Sequence, residues 1–294
     1  VTSTSERIRQ VQRSVECLAA EIEALRARLA QAPTDELRQA LRRRGLTWKT
    51  AVHNGRIVPT AGGGEEQFYQ LLHHYSFRLF LRDVITHGEC FALDDLVRYC
   101  SVASARRYLR WLEDQRLVRR AGTRFHLVAT DVRSFGPTLE WYVAQVLGRE
   151  YGIPAAWNVR LDAAPGGGDY DIIGFQDGCC VYVETKSSPP RNIDATQVCA
   201  FFNRLDTLRP DVAVFLNDTQ LRMGDKIAVL FAAELRRRLG QRARRARVVR
   251  LTGELFVVGG RVFIANSDPD LVGNIGACLA HYFRGQGVDG RASA

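Results

Sequence analysis

Lysine is nearly absent from this 294-residue chain: three occur, at 49, 186 and 226, against 38 arginines. The positive charge is therefore almost wholly permanent, because a guanidinium effectively cannot lose its proton whereas a desolvated ammonium can. Each lysine stands out against that background. Lys186, two residues after Glu184 on an apolar strand, stands out most. Paired cysteines are missing as well. The seven, at 17, 90, 100, 179, 180, 199 and 278, form no CxxC pair and no His/Cys ladder. Adjacent Cys179 and Cys180 point to opposite faces of a strand, which argues against a disulfide framework and structural zinc and fits reduced thiols in a cytoplasm. No apolar run reaches membrane-spanning length and no signal-peptide core opens the chain, so a cytoplasmic protein without a membrane partner is expected. The glycine runs 62–64 and 166–168 are not followed by Lys-Ser/Thr, which removes the P-loop and with it an ATPase. His73 and His74 lie on a helix with no partner at metal-ligand spacing and read as packed or surface residues.

What is present is a 46% apolar chain with a net charge of +9. That length and apolar content support two domains, and the basic balance favours an anionic partner, nucleic acid ahead of membrane. Over residues 1–64, Ile8, Val11, Val15, Leu18, Ile22, Leu25 and Leu29 form an a/d heptad seam that ends at Pro33. A shorter helix follows over 35–44, and residues 46–64 lose periodicity and end in a Gly-rich linker. The seam reads either as a dimerising coiled coil or as helices packed on the body of the protein.

Residues 65–130 read as a long helix over 68–85, a short one over 93–99, a third over 101–115 and a hairpin of 117–120 with 123–128. Helix, helix, helix, basic hairpin is the order of a winged helix-turn-helix, and the stretch resembles that family. The resemblance implies a third helix in the major groove and a wing on phosphates. Arg106, Arg107 and Arg110 on the helix, and Arg119, Arg120 and Arg124 on the hairpin, are the candidate nucleic-acid contacts. The alternative is a winged helix serving as a protein adaptor.

Residues 131–294 alternate helices and strands. Helices are expected over 138–150, 193–208, 226–239 and 271–284, and strands over 157–161, 170–175, 179–185, 211–216, 248–251 and 255–265, with a disordered tail from Gly285. This order gives an α/β fold, a central mixed sheet with helices on both faces. The chemistry gathers on the hairpin 170–185. Asp171 and Glu184 lie near its open end with a turn at Gln176-Asp177-Gly178 midway, and alternation puts Glu184 and Lys186 on one face and Thr185 on the other. Two carboxylates and a backbone carbonyl at Thr185 make a hard oxygen site suited to Mg²⁺ or Mn²⁺. A lysine beside them can orient a water or steady charge on phosphate oxygens.

Gly168-x-x-Asp171-Ile-Ile followed by Glu184-Thr185-Lys186 resembles the core of the PD-(D/E)xK, or restriction-endonuclease-like, nuclease superfamily. Tyr170 stands where the superfamily has proline. The resemblance implies metal ligation by Asp171, Glu184, the Thr185 carbonyl and the helix glutamate Glu140, and assistance to the nucleophile by Lys186. Gln197, with Phe201 and Phe202 after it, is similar to the Gln-x-x-x-aromatic element of RecB-like and resolvase-like branches. Read on their own residues, Glu140 is also what a helix dipole favours in an early turn, and Asp194-x-x-Gln197 is also a capping box. The arginines at 236–238 and 242–247 read equally as a phosphate-tracking surface or a solvated helix end.

The reading is a Mg²⁺- or Mn²⁺-dependent endonuclease acting on double-stranded DNA, as a homodimer or one subunit of a larger complex. Restriction, antiphage defence and recombination processing all suit such a protein. The rival is a non-catalytic winged-helix DNA-binding regulator or assembly subunit whose nuclease-like domain only grips nucleic acid.

Overall fold

Side-chain alternation along the central strands sets the architecture. In a computed structural model that describes residues 15, 18, 35–49, 55–59, 64–162, 169–240 and 246–289, these strands form one eight-stranded mixed sheet. Its strands are β1 (Thr47–Lys49), β4 (Ala155–Asp162), β5 (Asp169–Gln176), β6 (Cys179–Lys186), β7 (Val212–Asn217), β8 (Val248–Thr252), β9 (Leu255–Val258) and β10 (Val262–Ala265). They lie in the order β1-β4-β5-β6-β7-β10-β9-β8. β7 runs parallel to both β6 and β10, and the other neighbours are antiparallel.

Ile172, Val183, Val212, Val214 and Leu216 bury on one face, against α5 (Gly136–Tyr151) and α8 (Leu271–Asp289). Ile173, Phe175, Tyr182, Ala213 and Phe215 bury on the other, against a first helix α1 over 35–43, α6 (Ala195–Leu208) and α7 (Val229–Leu239). Strands apolar on both faces are what a sheet covered on both sides requires. Each of the buried Val, Leu, Ile and Phe side chains contributes roughly 1.5–3 kcal/mol relative to exposure.

Residues 64–127 form α2 (Gly64–Leu72), α3 (Tyr75–His87), a short 3-10 helix Leu93–Leu96, α4 (Val102–Asp114) and the hairpin β2 (Val118–Ala121) with β3 (Arg124–Leu127). The module is not walled off from the sheet. Phe68 stacks on Trp111 at 5.7 Å and lies 5.8 Å from Trp141 of α5, and the aromatic cluster joins the core of the first sheet face.

The structure corrects the sequence reading in four places. The single helix expected over 68–85 is two, parted at His73 and His74. No local breaker causes this. The buried guanidinium of Arg78 donates through Nη1 to the carbonyls of Leu72 (2.5 Å) and His73 (3.2 Å), acceptors an unbroken helix would use internally. Residues 46–49 are not linker, because Thr47–Lys49 add an edge strand to β4. The run 255–265 is a hairpin, since Gly259 and Gly260 take φ of 57° and 75°, open to glycine at little cost. The last helix continues past Gly285 to Asp289. The heptad seam lies outside the described residues apart from Val15 and Leu18, both helical and exposed. The glycines at 62, 63 and 166–168 and the arginines at 242, 244 and 245 also lie outside them.

Candidate active site

The site is built where two paired strands part. At the turn of the β5–β6 hairpin Asp177 and Gly178 have φ of 50° and 81°, the left-handed pair that suits a two-residue loop. From there the ladder runs from Gln176–Cys179 to Ile172–Val183. Beyond Val183, β6 follows its other neighbour and pairs Glu184 with Phe215, Thr185 with Leu216 and Lys186 with Asn217. The Asp171 carboxylate fills the fork. Its Oδ2 accepts the Thr185 amide at 2.7 Å and the Thr185 hydroxyl at 3.2 Å, replacing the ladder bonds that β5 no longer supplies. Buried main-chain donors need such a partner, so this position calls for a short acceptor side chain.

Glu184 is 2% exposed and both its oxygens are taken. Lys186 Nζ donates to Oε1 at 2.7 Å, Arg204 Nη1 reaches Oε1 at 2.9 Å and Oε2 at 3.0 Å, and the Tyr182 hydroxyl donates to Oε2. A charge that deep is tolerated because two cations and a hydroxyl surround it. Burial, then the neighbouring Glu184 charge, pushes the Tyr182 phenol well above its ordinary range.

Glu140 approaches from α5. Among the described residues its carboxylate makes no hydrogen bond or ion pair. Burial, then the charge of Asp171, pushes its carboxyl up to about 8, with Lys186 pulling the other way. Burial, then Glu184, pushes Asp171 up to about 7 against the pull of Lys186 and the Thr185 amide. Two crowded carboxylates resist ionising together, and a cation between them would relieve both.

The oxygen donors suit Mg²⁺ or Mn²⁺ by type. Yet no three His, Cys, Asp or Glu side chains among the described residues form a group that could hold a metal ion. Glu184, the third carboxylate, is turned to Arg204, Lys186 and Tyr182.

Asp171, Glu184, Thr185, Lys186 and Glu140 therefore stand together, joined by hydrogen bonds or by charge. Gln197 is engaged otherwise. Its Oε1 accepts the Asp194 amide at 3.1 Å while its own amide donates to Asp194 at 3.0 Å, the reciprocal capping box at the start of α6.

No protein-family model matches the chain, and no curated protein matches it. Among solved structures it is similar to protein VC1899 from Vibrio cholerae, at 16% identity and a TM-score of 0.42, over 64% of this chain and 53% of that one. It is also similar to Can2 from Sulfobacillus thermosulfidooxidans, solved in complex with cyclic tetra-adenylate, at 14% identity and a TM-score of 0.40, over 61% of this chain and 50% of that one. The chain thus spans about half the length of the solved chains it matches. Similarity at this level assigns neither family nor activity.

Sequence reasoning missed two groups. Arg204 lies seven residues after Gln197, two helical turns along α6, a spacing that shares a face and is the one signal that could have found it. Asp218, the residue after β7, had no signal. Its amide donates to the Lys186 carbonyl at 2.8 Å. Its buried carboxylate accepts from Arg78 Nε at 3.0 Å, Arg82 Nη2 at 2.5 Å and Ser267 Oγ at 2.6 Å. Burial alone would raise this carboxyl; the two guanidiniums outweigh it and hold it below its ordinary range.

The six candidate nucleic-acid arginines, Arg106, Arg107, Arg110, Arg119, Arg120 and Arg124, are all exposed. Three of them rim an open hollow on α4 with Ala103, Trp111 and Asp114. Arg120 Nε donates to the Gly122 carbonyl at 2.9 Å, and Arg124 lies 3.9 Å from Asp95.

Proposed function

We propose that the chain is a divalent-cation-dependent nuclease of PD-(D/E)xK type, with residues 131–294 as its catalytic part and residues 65–130 as a winged-helix module that grips double-stranded DNA. One observation carries the reading: Lys186 sits 2.7 Å from the buried Glu184, beside two further carboxyls pushed up, Glu140 by burial and then Asp171, and Asp171 by burial and then Glu184. A structural ion pair between Lys186 and Glu184 has no use for the buried carboxylate of Glu140, whereas a cation site has.

In this reading Asp171 and Glu140 would hold Mg²⁺ or Mn²⁺, with the Thr185 carbonyl and Glu184 completing the set. Such a cation would supply Lewis acidity toward the scissile phosphate and lower the pKa of a bound water. Asp171 also fixes the end of β6 through the Thr185 amide, so Lys186 leaves the strand at a set position. Lys186 orients the attacking water and offsets negative charge as it develops on the phosphate oxygens. The exposed arginines of α4 and the hairpin bind the duplex backbone and bring it to the site. Two copies would supply one site for each strand.

The test is cleavage of plasmid, linear duplex, branched DNA and RNA with Mg²⁺ or Mn²⁺. Wild-type protein is expected to cut at least one DNA form, and Lys186→Ala or Asp171→Ala to lower the rate by at least about 100-fold while duplex binding in EDTA stays within a few-fold. A wild-type protein that cuts nothing with either metal sinks the proposal. It would favour the second reading, a DNA-binding regulator or assembly subunit, whose supporting observation is that Arg204, Lys186 and Tyr182 already occupy both oxygens of Glu184.

A further inference from the structure

Where parallel strands end side by side, ligands meet the loops that follow their carboxyl ends. Here β6 and β7 run parallel and finish together, with Lys186 in register with Asn217. The loop after β7 begins at Asp218, whose amide donates to the Lys186 carbonyl at 2.8 Å. Asn217, Asp218 and Thr219 are buried, and so is Met223. The three residues between them, Gln220, Leu221 and Arg222, are exposed. Leu221 is 57% exposed.

The backbone beneath these three is fixed from several directions. The Thr219 carbonyl accepts the Ser267 amide at 2.8 Å, and the Thr219 hydroxyl accepts the Leu221 amide at 3.2 Å. The Leu221 carbonyl accepts from Asn266 Nδ2 at 3.1 Å. Glu254 Oε2 takes the amides of Met223 at 2.7 Å and Gly224 at 2.9 Å. Lys226 Nζ donates to the Arg191 carbonyl and so ties this loop to the one after β6. A loop pinned in this way holds its leucine at the surface, and little ordering remains to be done when a partner arrives.

The chemistry of the partner follows from what the loop displays. One leucine between a glutamine and an arginine is too little apolar surface to seat a protein, whose interfaces are large and centre on aromatic and arginine anchors. It is what a DNA wedge requires: one apolar side chain enters between base steps while glutamine and arginine contact the groove. Other large exposed apolar side chains, such as Val102, Val229, Val249 and Phe283, lie on helices or strands and not on a loop at these strand ends.

We propose that Leu221 is a wedge for double-stranded DNA. On a seated duplex it enters between adjacent base pairs, with Gln220 and Arg222 against the minor groove, and kinks the DNA at the strand end that carries Lys186. The inference rests on the duplex-binding reading and adds to it a residue that selects DNA by its ability to bend.

The experiment uses the full chain in EDTA, so that cutting does not enter. A duplex of about 20 base pairs with a central TA step carries a donor dye at one end and an acceptor at the other. Binding is read by anisotropy, and kinking by energy transfer between the ends at saturating protein. Wild type is expected to bend the duplex by at least about 20°, which raises the transfer, and Leu221→Met to do the same. Leu221→Ala is expected to bind within about tenfold of wild type and to leave the duplex straight. A wild type that binds the duplex without bending it overturns the proposal, and this arm needs no variant. Equal bending by wild type and Leu221→Ala overturns it too. Either result leaves the duplex-binding reading standing, whereas a wild type that binds no duplex defeats that reading and this inference together.

Discussion

Two side chains in the site cost the protein stability, and their pH dependence has a definite sign. Glu140 and Asp171 hold their protons to about 8 and about 7, far above an unfolded carboxyl. Below about pH 4 both states are protonated and neither group matters. As pH rises further the unfolded chain releases these protons while the native one keeps them, so the native state binds more and stability falls. The loss continues until pH passes the folded values, near 8. Glu140→Gln removes the charge without removing the shape and should stabilise the protein at pH 8 by about 1–2 kcal/mol, and hardly at pH 4. Urea denaturation at the two pH values checks it, and an equal effect at both would count against this role for Glu140. Residue type and spacing single out Asp171, Glu184 and Lys186 as candidates, whereas Glu140 enters only through the family resemblance. Arg204 is legible from neither, because its partner is 20 residues away on another element and only packing of α6 on the sheet brings them together.

At the scale of elements, period-two alternation places β5, β6 and β7 within a residue or so, and the turn chemistry of Asp177-Gly178 fixes the hairpin register. The break between α2 and α3 is invisible in the sequence, since nothing in Leu-His-His-Tyr-Ser stops a helix and the cause is an arginine held by an aspartate 140 residues on. The three exposed arginines of α4 give a prediction at this scale. If they neutralise phosphates, replacing Arg106, Arg107 and Arg110 with alanine weakens duplex binding and flattens its salt dependence, by roughly 0.9 in the log–log slope for each phosphate no longer neutralised. Anisotropy titrations from about 50 to 200 mM NaCl read this directly. A slope that does not move would remove α4 from the interface.

The whole molecule is tied together at Asp218. Arg78 and Arg82 reach it from α3, Ser267 from beyond β10, and its amide holds the carbonyl of Lys186. The aromatic core runs without interruption from Phe68 to Trp141 and onto the sheet, across the position near 130 where composition places a boundary. Asp218→Asn leaves two inward-facing guanidiniums without their counter-charge, and breaking a buried pair of this kind costs about 3–5 kcal/mol. That loss should fall on helices and sheet alike. Tryptophan fluorescence and far-ultraviolet circular dichroism are expected to report one coincident urea midpoint, shifted down in the variant. Separate midpoints would show that the two parts unfold independently.

Periodicity, turn chemistry and residue type are local, and they suffice for the layered α/β class, the hairpin and the identity of its acidic and lysine residues. Tertiary structure alone decided where β5 leaves β6, that Arg204 and not solvent faces Glu184, and that α3 is anchored to the strand end behind Lys186. Those depend on which distant surfaces bury together, and a buried charge selects its partner by position in space rather than by neighbourhood in the chain.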